Sequence, residues 1–139
     1  MNRTLSPFAI ILLLATSSCE EKSDDKTILE GTYSGTFTNW NNDPAANTVI
    51  LSGQTTVTFT NNTYTSTGND NKIPAGGSGT FKIEENFVNF VDRNVWTANF
   101  DWNLILNGSY TYSMKGDSLF LLKTLGYNHY QYELKRKNN

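Results

Sequence analysis

Residues 54–67 read QTTVTFTNNTYTST, and this stretch has the pattern of a β-hairpin. Val57 and Phe59 alternate with threonines, as expected for a strand with one apolar and one polar face. Asn61-Asn62 then makes a two-residue turn, because asparagine tolerates the positive φ that such turns require. A second alternating run follows directly. The stretch therefore predicts two antiparallel strands joined by a tight turn.

The same pattern continues on both sides of this hairpin, with no convincing helical period. Residues 68–79 are the longest turn-rich stretch and predict a mobile loop, while 48–51 and 95–106 are less regular. Asn107-Gly108 is the strongest hairpin signal by residue type. The run 118–124 is so apolar that it predicts a strand buried on both faces. The eight predicted strands are Thr32–Thr38, Gln54–Thr60, Thr63–Thr67, Thr80–Glu84, Phe87–Val91, Ser109–Lys115, Ser118–Thr124 and Asn128–Lys135.

Tight turns between successive strands predict sequential antiparallel pairing, which is an up-and-down meander. A meander of this length either closes into a barrel or stacks as two sheets, and closure removes the exposed strand edges. The chain has 139 residues, so one domain is the expectation. We therefore predict an all-β fold of about eight strands over residues 29–139, either closed into a small barrel or stacked as a two-sheet sandwich.

The order of these features resembles the lipocalin-like domains of Bacteroidetes lipoproteins. Two departures are Tyr33, where many relatives carry Trp, and 94–103, which matches no element of that pattern. The resemblance implies a lipocalin-like barrel and a small-molecule binding role. The carrying stretches are Leu29-Glu30-Gly31-Thr32-Tyr33, Thr56-Val57-Thr58-Phe59-Thr60-Asn61-Asn62-Thr63-Tyr64, Gly79-Thr80-Phe81-Lys82-Ile83, Gly108-Ser109-Tyr110-Thr111-Tyr112, Gly116-Asp117-Ser118-Leu119-Phe120-Leu121 and Tyr132-Glu133-Leu134-Lys135-Arg136.

Residues 1–18 have the pattern of an export signal. Arg3 supplies the positive end, Phe8–Ala15 is an eight-residue apolar run, and small residues follow it. The run is too short for a membrane-spanning helix, which needs roughly 20 residues. The only cysteine, Cys19, comes next, and its position resembles that of the lipidated cysteine of bacterial lipoproteins. The alternative is a free thiol after ordinary secretory cleavage.

Residues 19–28 predict a flexible acidic tether, since 20–26 hold four acids, two lysines and no apolar side chain. The acids after Cys19 resemble the surface-export signal of Bacteroidetes lipoproteins, and a generic charged spacer is the alternative. Lipidation at Cys19 with acyl chains such as palmitate gives stable anchoring. We therefore expect a cell-envelope protein held on the outer membrane and exposed at the surface.

Composition excludes several classes of function. A net charge of -2 argues against nucleic-acid binding, and one Cys with one His argues against a disulfide framework, a Cys-rich zinc site and most triad chemistry. His129 is expected on the polar face of the last strand, and no two carboxylates are placed together by the pattern. We therefore expect no enzyme, no catalytic residue, no metal and no cofactor.

The aromatic residues are the candidates for ligand contact. Trp40, Trp96 and Trp102 fall in irregular or loop-adjacent segments, where barrel-mouth ligands bind, and Tyr33 and Tyr112 are expected to point inward. The tryptophans fit equally well as core that plugs the barrel ends, and the inward tyrosines are more simply core that fills a narrow barrel. The expected partners are the membrane, through Cys19, and a small hydrophobic or glycan ligand bound by a monomer. The alternative function is a structural or protein-interaction lipoprotein, an inhibitor or accessory subunit, with a filled barrel.

Overall fold

The computed structural model describes residues 29–98 and 100–138, so the predicted signal peptide and tether lie outside the described residues. These residues form eight strands and one short 3₁₀ helix, Trp102–Leu104. The strands are β1 (Gly31–Asn41), β2 (Ile50–Thr60), β3 (Thr63–Thr67), β4 (Gly76–Glu84), β5 (Phe87–Asp92), β6 (Gly108–Lys115), β7 (Ser118–Leu125) and β8 (Asn128–Arg136).

The eight strands pair antiparallel in chain order and close into a barrel, which settles the choice between barrel and sandwich. The closing seam joins β1 to β8, from Tyr33 opposite Arg136 to Asn41 opposite Asn128. Gly35 lies within this seam. A Cβ atom there would lie only 1.9 Å from the carbonyl oxygen of Glu133, so glycine lets the two backbones approach. The predicted meander is confirmed in full.

Three details differ from the sequence prediction. β4 begins at Gly76 rather than Thr80, because residues 76–79 pair with β3 and are not loop. β2 begins at Ile50 rather than Gln54, because residues 50–53 pair with the second half of β1. Asn107-Gly108 is not a hairpin turn. The side-chain oxygen of Asn107 instead accepts a hydrogen bond from the backbone N–H of Asp92 (3.0 Å), and residues 93–107 connect β5 to β6.

The two ends of the barrel differ in their connections. Three two-residue turns, 61–62, 85–86 and 116–117, lie at the end where β1 begins, which we call the turn end. The segments 42–49, 68–75, 93–107 and 126–127 lie at the opposite end, which we call the loop end. Leu29, the first described residue, is buried at the turn end. The loop end therefore holds nearly all of the irregular chain.

The outer wall has two different halves. On β1 and β2 it carries hydroxyl and amide side chains that bond across the strands, as in Ser34 with Thr56 (2.8 Å) and Thr36 with Gln54 (3.0 Å). On β7 the outward residues are Phe120 and Leu122, which are 41% and 37% exposed. The prediction that β7 is buried on both faces is therefore wrong. A barrel made of one sheet buries only the side chains that point to its interior. In the described residues, no segment covers the outer face of β7.

Candidate functional site

The barrel interior is packed with aromatic rings. Phe90 contacts Phe59, Phe81, Tyr64 and Tyr110 with ring centroids 5.2–6.2 Å apart. Further pairs join Tyr110 to Tyr132 and Tyr132 to Phe37, at 5.9 and 4.8 Å. Edge-to-face and tilted packing of this kind stabilises a core beyond area burial alone. The buried apolar residues of the core are Leu29, Tyr33, Phe37, Val57, Phe59, Tyr64, Phe81, Val88, Phe90, Leu106, Tyr110, Leu119, Leu121, Tyr130, Tyr132 and Leu134.

Two of the predicted ligand contacts belong to this packed interior. Tyr33 is fully buried, and its hydroxyl accepts a hydrogen bond from the guanidinium of Arg136 (2.5 Å), whose charge also lies over the ring. Tyr112 is partly buried and packs against the core. The expectation that inward aromatic residues form core is confirmed for Tyr33, whereas Tyr112 lies at the edge of the core.

The connection between β5 and β6 closes the loop end, and we call residues 93–107 the cap. Ile105 and Leu106 are buried, and the Tyr64 hydroxyl donates to the Leu106 carbonyl (2.5 Å). The carbonyl of Leu104 accepts a hydrogen bond from the backbone of Ala75 (3.0 Å), which ties the cap to the loop between β3 and β4. Leu106 thus belongs to the barrel core, although the sequence around it shows no strand pattern.

Lys123 is the one lysine buried among the described residues, and it lies beneath the cap. Its ammonium donates to the Asn107 carbonyl (3.1 Å) and lies 5.1 and 4.9 Å from the ring centres of Tyr110 and Tyr130. Burial lowers the pKa of this amine, and the negative charge of Asp101 acts in the opposite direction. The carbonyl and the two rings offset the buried positive charge of Lys123, and the hydrogen bond to Asn107 holds the cap on the barrel.

The interior contains five buried tyrosines: Tyr33, Tyr64, Tyr110, Tyr130 and Tyr132. Burial raises the pKa of Tyr64, Tyr110 and Tyr132 well above the ordinary value of 10.0. The hydroxyls of Tyr110 and Tyr132 are close enough to shift each other's pKa, although neither has a partner with good hydrogen-bond geometry in the described residues. All three side chains therefore stay neutral in the folded protein at ordinary pH.

The three tryptophans have three different surroundings. Trp40 lies on the outer wall and stacks on His129, with ring centroids 4.9 Å apart. Trp96 stacks on Phe100 at 4.8 Å and donates its indole N–H to Asp92 (2.6 Å). Trp102 belongs to the 3₁₀ helix of the cap and is 54% exposed. All three lie at or near the loop end as expected, but no ring contact joins one described tryptophan to another.

Exposed apolar side chains concentrate at the loop end. Of the ten large ones exposed in the described residues, six lie there, and the cap alone contributes two. The backbone N–H of Asn42 donates to the Tyr127 carbonyl (3.1 Å), which joins the first connection to the last turn. We call these six residues the loop-end group: Val49, Ile50, Val95, Trp102, Leu125 and Tyr127. These residues lie in or beside three separate connections, so no local sequence pattern indicates that they share one end of the barrel.

A second exposed feature is a groove of about 330 Å³ on the outer wall. Residues of β6 and β7 line it, together with Gln131 of β8. Its apolar side chains include Phe120 and Leu122, the two residues of β7 for which the prediction of burial is wrong. The predicted ligand contact Tyr112 is among the lining residues.

The acid–base candidates do not form a catalytic arrangement. His129 has Thr124 Oγ1 near its Nδ1 atom (3.1 Å) and the Trp40 ring beside it, rather than a carboxylate. Glu84 pairs with Lys82, and this hydrogen bond lowers the pKa of the carboxyl. Within residues 29–98 and 100–138, no three His, Cys, Asp or Glu side chains are grouped as metal ligands.

No protein-family model, curated protein or solved structure matches the chain. In the part of the chain that the structure describes, no helix is long and apolar enough to span a membrane.

Proposed function

We propose that this protein is a membrane-anchored envelope lipoprotein whose barrel is an accessory domain that binds a protein partner through its loop end. The packed interior supports a filled barrel rather than an open one, since aromatic rings and the cap occupy it. The observation that carries the proposal is the loop-end group. Six of the ten large apolar side chains exposed in the described residues lie at this one end, and a concentration of exposed apolar side chains usually marks a contact site.

The loop end lies opposite the end at which the described chain enters the barrel, and this position favours a protein partner located away from the anchoring membrane. The described chain enters the barrel at the turn end, where Glu30 accepts a hydrogen bond from the backbone N–H of Asn61 (3.4 Å). Residues 20–28 separate Cys19 from Leu29, and a segment of that length spans about 30 Å when fully extended. An anchor at Cys19 would therefore attach through the turn end, opposite the loop-end group, and leave that group free to contact a partner.

The charge of the loop end favours protein over lipid. Its connections carry Asp43, Asp70 and Asp101 against Lys72 and Arg93. Attraction to an anionic lipid surface needs a cluster of basic residues, which these connections lack. Large aromatic and aliphatic side chains with a mixed polar rim are instead typical of the centres of protein interfaces.

Photo-cross-linking in the cells that make the protein tests this proposal. A photoreactive amino acid at Trp102 or Tyr127 of the full chain is expected to yield a discrete adduct of higher mass. The matched control is the same amino acid at Asn62, which is exposed at the turn end. In parallel, Cys19→Ala is expected to release the chain from sedimented membranes. Equal adducts at Asn62, or none at Trp102 and Tyr127, would contradict the partner surface, and membrane retention of the Cys19 variant would contradict the anchor.

A small flat ligand is the second candidate, and the half-exposed ring of Trp102 favours it. Tryptophan fluorescence of the full chain, titrated with fatty acids, haem-like rings and oligosaccharides, tests this function. A saturable change that is lost in Trp102→Ala and kept in Trp96→Phe is the expected result. Trp96 is the control because its ring is already engaged by Phe100 and Asp92. If no ligand of the panel changes the tryptophan fluorescence, binding of a protein partner is the one candidate function that remains.

A further inference from the structure

The outer-wall groove has a regular arrangement of side chains. Across the strands, Phe120 lies between Ser113 and Glu133, and Leu122 lies between Thr111 and Gln131. The two apolar side chains of β7 are thus flanked by two hydroxyls on β6 and by an amide and a carboxylate on β8. Directly opposite residues in antiparallel strands have Cβ atoms about 4.5–5.5 Å apart, so all six groups are within reach of one small molecule.

The polar groups beside the groove remain able to bind. Phe120 is 41% exposed, and its neighbours Ser113 and Glu133 are exposed as well. Gln131 donates one amide hydrogen to Glu133, which orients the pair and leaves the second carboxylate oxygen free of side-chain partners in the described residues. The groove of about 330 Å³ is at the small end of the usual range for ligand sites, about 300–1,000 Å³.

We propose that this groove binds a neutral sugar ring, with one face of the pyranose stacked on Phe120 and its hydroxyls bonded to Ser113, Gln131 and Glu133. A pyranose has a face of C–H groups and a rim of hydroxyls, and the groove presents an aromatic ring bordered by donors and acceptors. This site is separate from the loop-end group and does not depend on it. It lies on the outer wall and needs no space inside the packed barrel.

Other ligand classes fit the groove less well. A wholly apolar ligand would cover Glu133 and the Ser113 hydroxyl without replacing their hydrogen bonds to water, which costs free energy. An anionic ligand placed on Phe120 would meet the carboxylate of Glu133, the direct cross-strand neighbour of that ring, whereas the nearest cations of the wall, Lys115 and Lys135, lie one register step away, opposite Ser118. A neutral polyol satisfies the same polar groups and still covers Phe120. The sugar is therefore the ligand whose chemistry matches both parts of the groove.

Saturation-transfer NMR on the full-length protein tests this site. The protein is kept in an amine-oxide detergent, because alkyl-glycoside detergents would compete as sugars. The probes are methyl β-D-glucopyranoside, cellobiose and N-acetylglucosamine. Transfer to the ring C–H protons of at least one probe, with a Kd in the millimolar range, is the expected result. Phe120→Ala is expected to weaken binding about tenfold or more, and Glu133→Gln less, since an amide accepts hydrogen bonds more weakly.

Phe87→Ala is the matched control, because Phe87 is an equally exposed phenylalanine on β5 that does not line the groove. It is expected to leave sugar binding unchanged. No transfer to any of the three sugars would overturn the proposal, and so would equal losses in Phe87→Ala and Phe120→Ala. Binding of an apolar dye or a peptide at Phe120 without sugar binding would also overturn the proposal. That result would make the groove a docking site for an apolar ligand or a peptide. Cross-links at Trp102 and Tyr127 are expected to persist in Phe120→Ala, so the two proposals fail separately.

Discussion

Phe90→Ala is expected to lower the free energy of unfolding by about 3–5 kcal/mol, the usual cost of truncating a buried phenylalanine. The Phe90 ring contacts four other rings of the core, so the surrounding side chains cannot close the cavity without losing their own contacts. A small domain has only about 5–15 kcal/mol of stability in total. The variant is therefore expected to sit close to its unfolding threshold at room temperature.

Chemical denaturation followed by far-UV circular dichroism measures this loss. Phe87→Ala on the same strand is the control, because Phe87 is 47% exposed and its truncation opens no internal cavity. The control is expected to change stability by less than about 1 kcal/mol. If the two variants lost equal stability, the packed interior could not be the main source of stability, and an open barrel would have to be reconsidered.

The protein is expected to lose stability steeply above pH 10. Tyr64, Tyr110 and Tyr132 have raised pKa values in the folded chain, while an unfolded chain ionises its tyrosines near pH 10. Above that pH the unfolded state binds fewer protons than the folded state, so stability falls as pH rises. Each such tyrosine favours unfolding by about 1.4 kcal/mol at pH 11, or about 4 kcal/mol for the three together.

Lys123 acts in the opposite direction. Its lowered pKa means that the unfolded state binds more protons in the window between the folded pKa and the ordinary value of 10.5, so this one residue gains stability as pH rises through that window. Three tyrosines outweigh a single lysine, and the net effect is alkaline unfolding. The raised pKa of Tyr130 adds to the same side as the three tyrosines.

Denaturation midpoints at pH 8, 9, 10 and 11 measure the effect. Tyr132→Phe is expected to reduce the alkaline loss by about 1.4 kcal/mol at pH 11, because it removes one of the buried tyrosines whose pKa is raised. The exposed Tyr127→Phe serves as control and is expected to keep the full pH dependence. A stability that stays flat from pH 9 to pH 11 would mean that these tyrosines reach solvent in the folded chain.

Several features at the loop end depend on contacts between distant residues. The cap includes the stretch 94–103 that matched no element in the sequence, and it is held by Tyr64 and Lys123 from other strands. Nothing local at Leu106 marks it as core. The three tryptophans were correctly placed at or near the loop end, but their separate partners, such as His129 beside Trp40, follow from strand register.

The sequence by itself determined the strand order and the identity of the inward face, because side chains alternate with a period of two residues and turn chemistry is local. Only the tertiary structure decided how β7 is used. Four consecutive apolar residues indicate burial on both faces wherever a second layer exists, and the closed barrel provides none outside. Phe120 and Leu122 are consequently exposed. No local sequence pattern indicates the loop-end group either, since its members lie in or beside separate connections that share one end only once the barrel has closed.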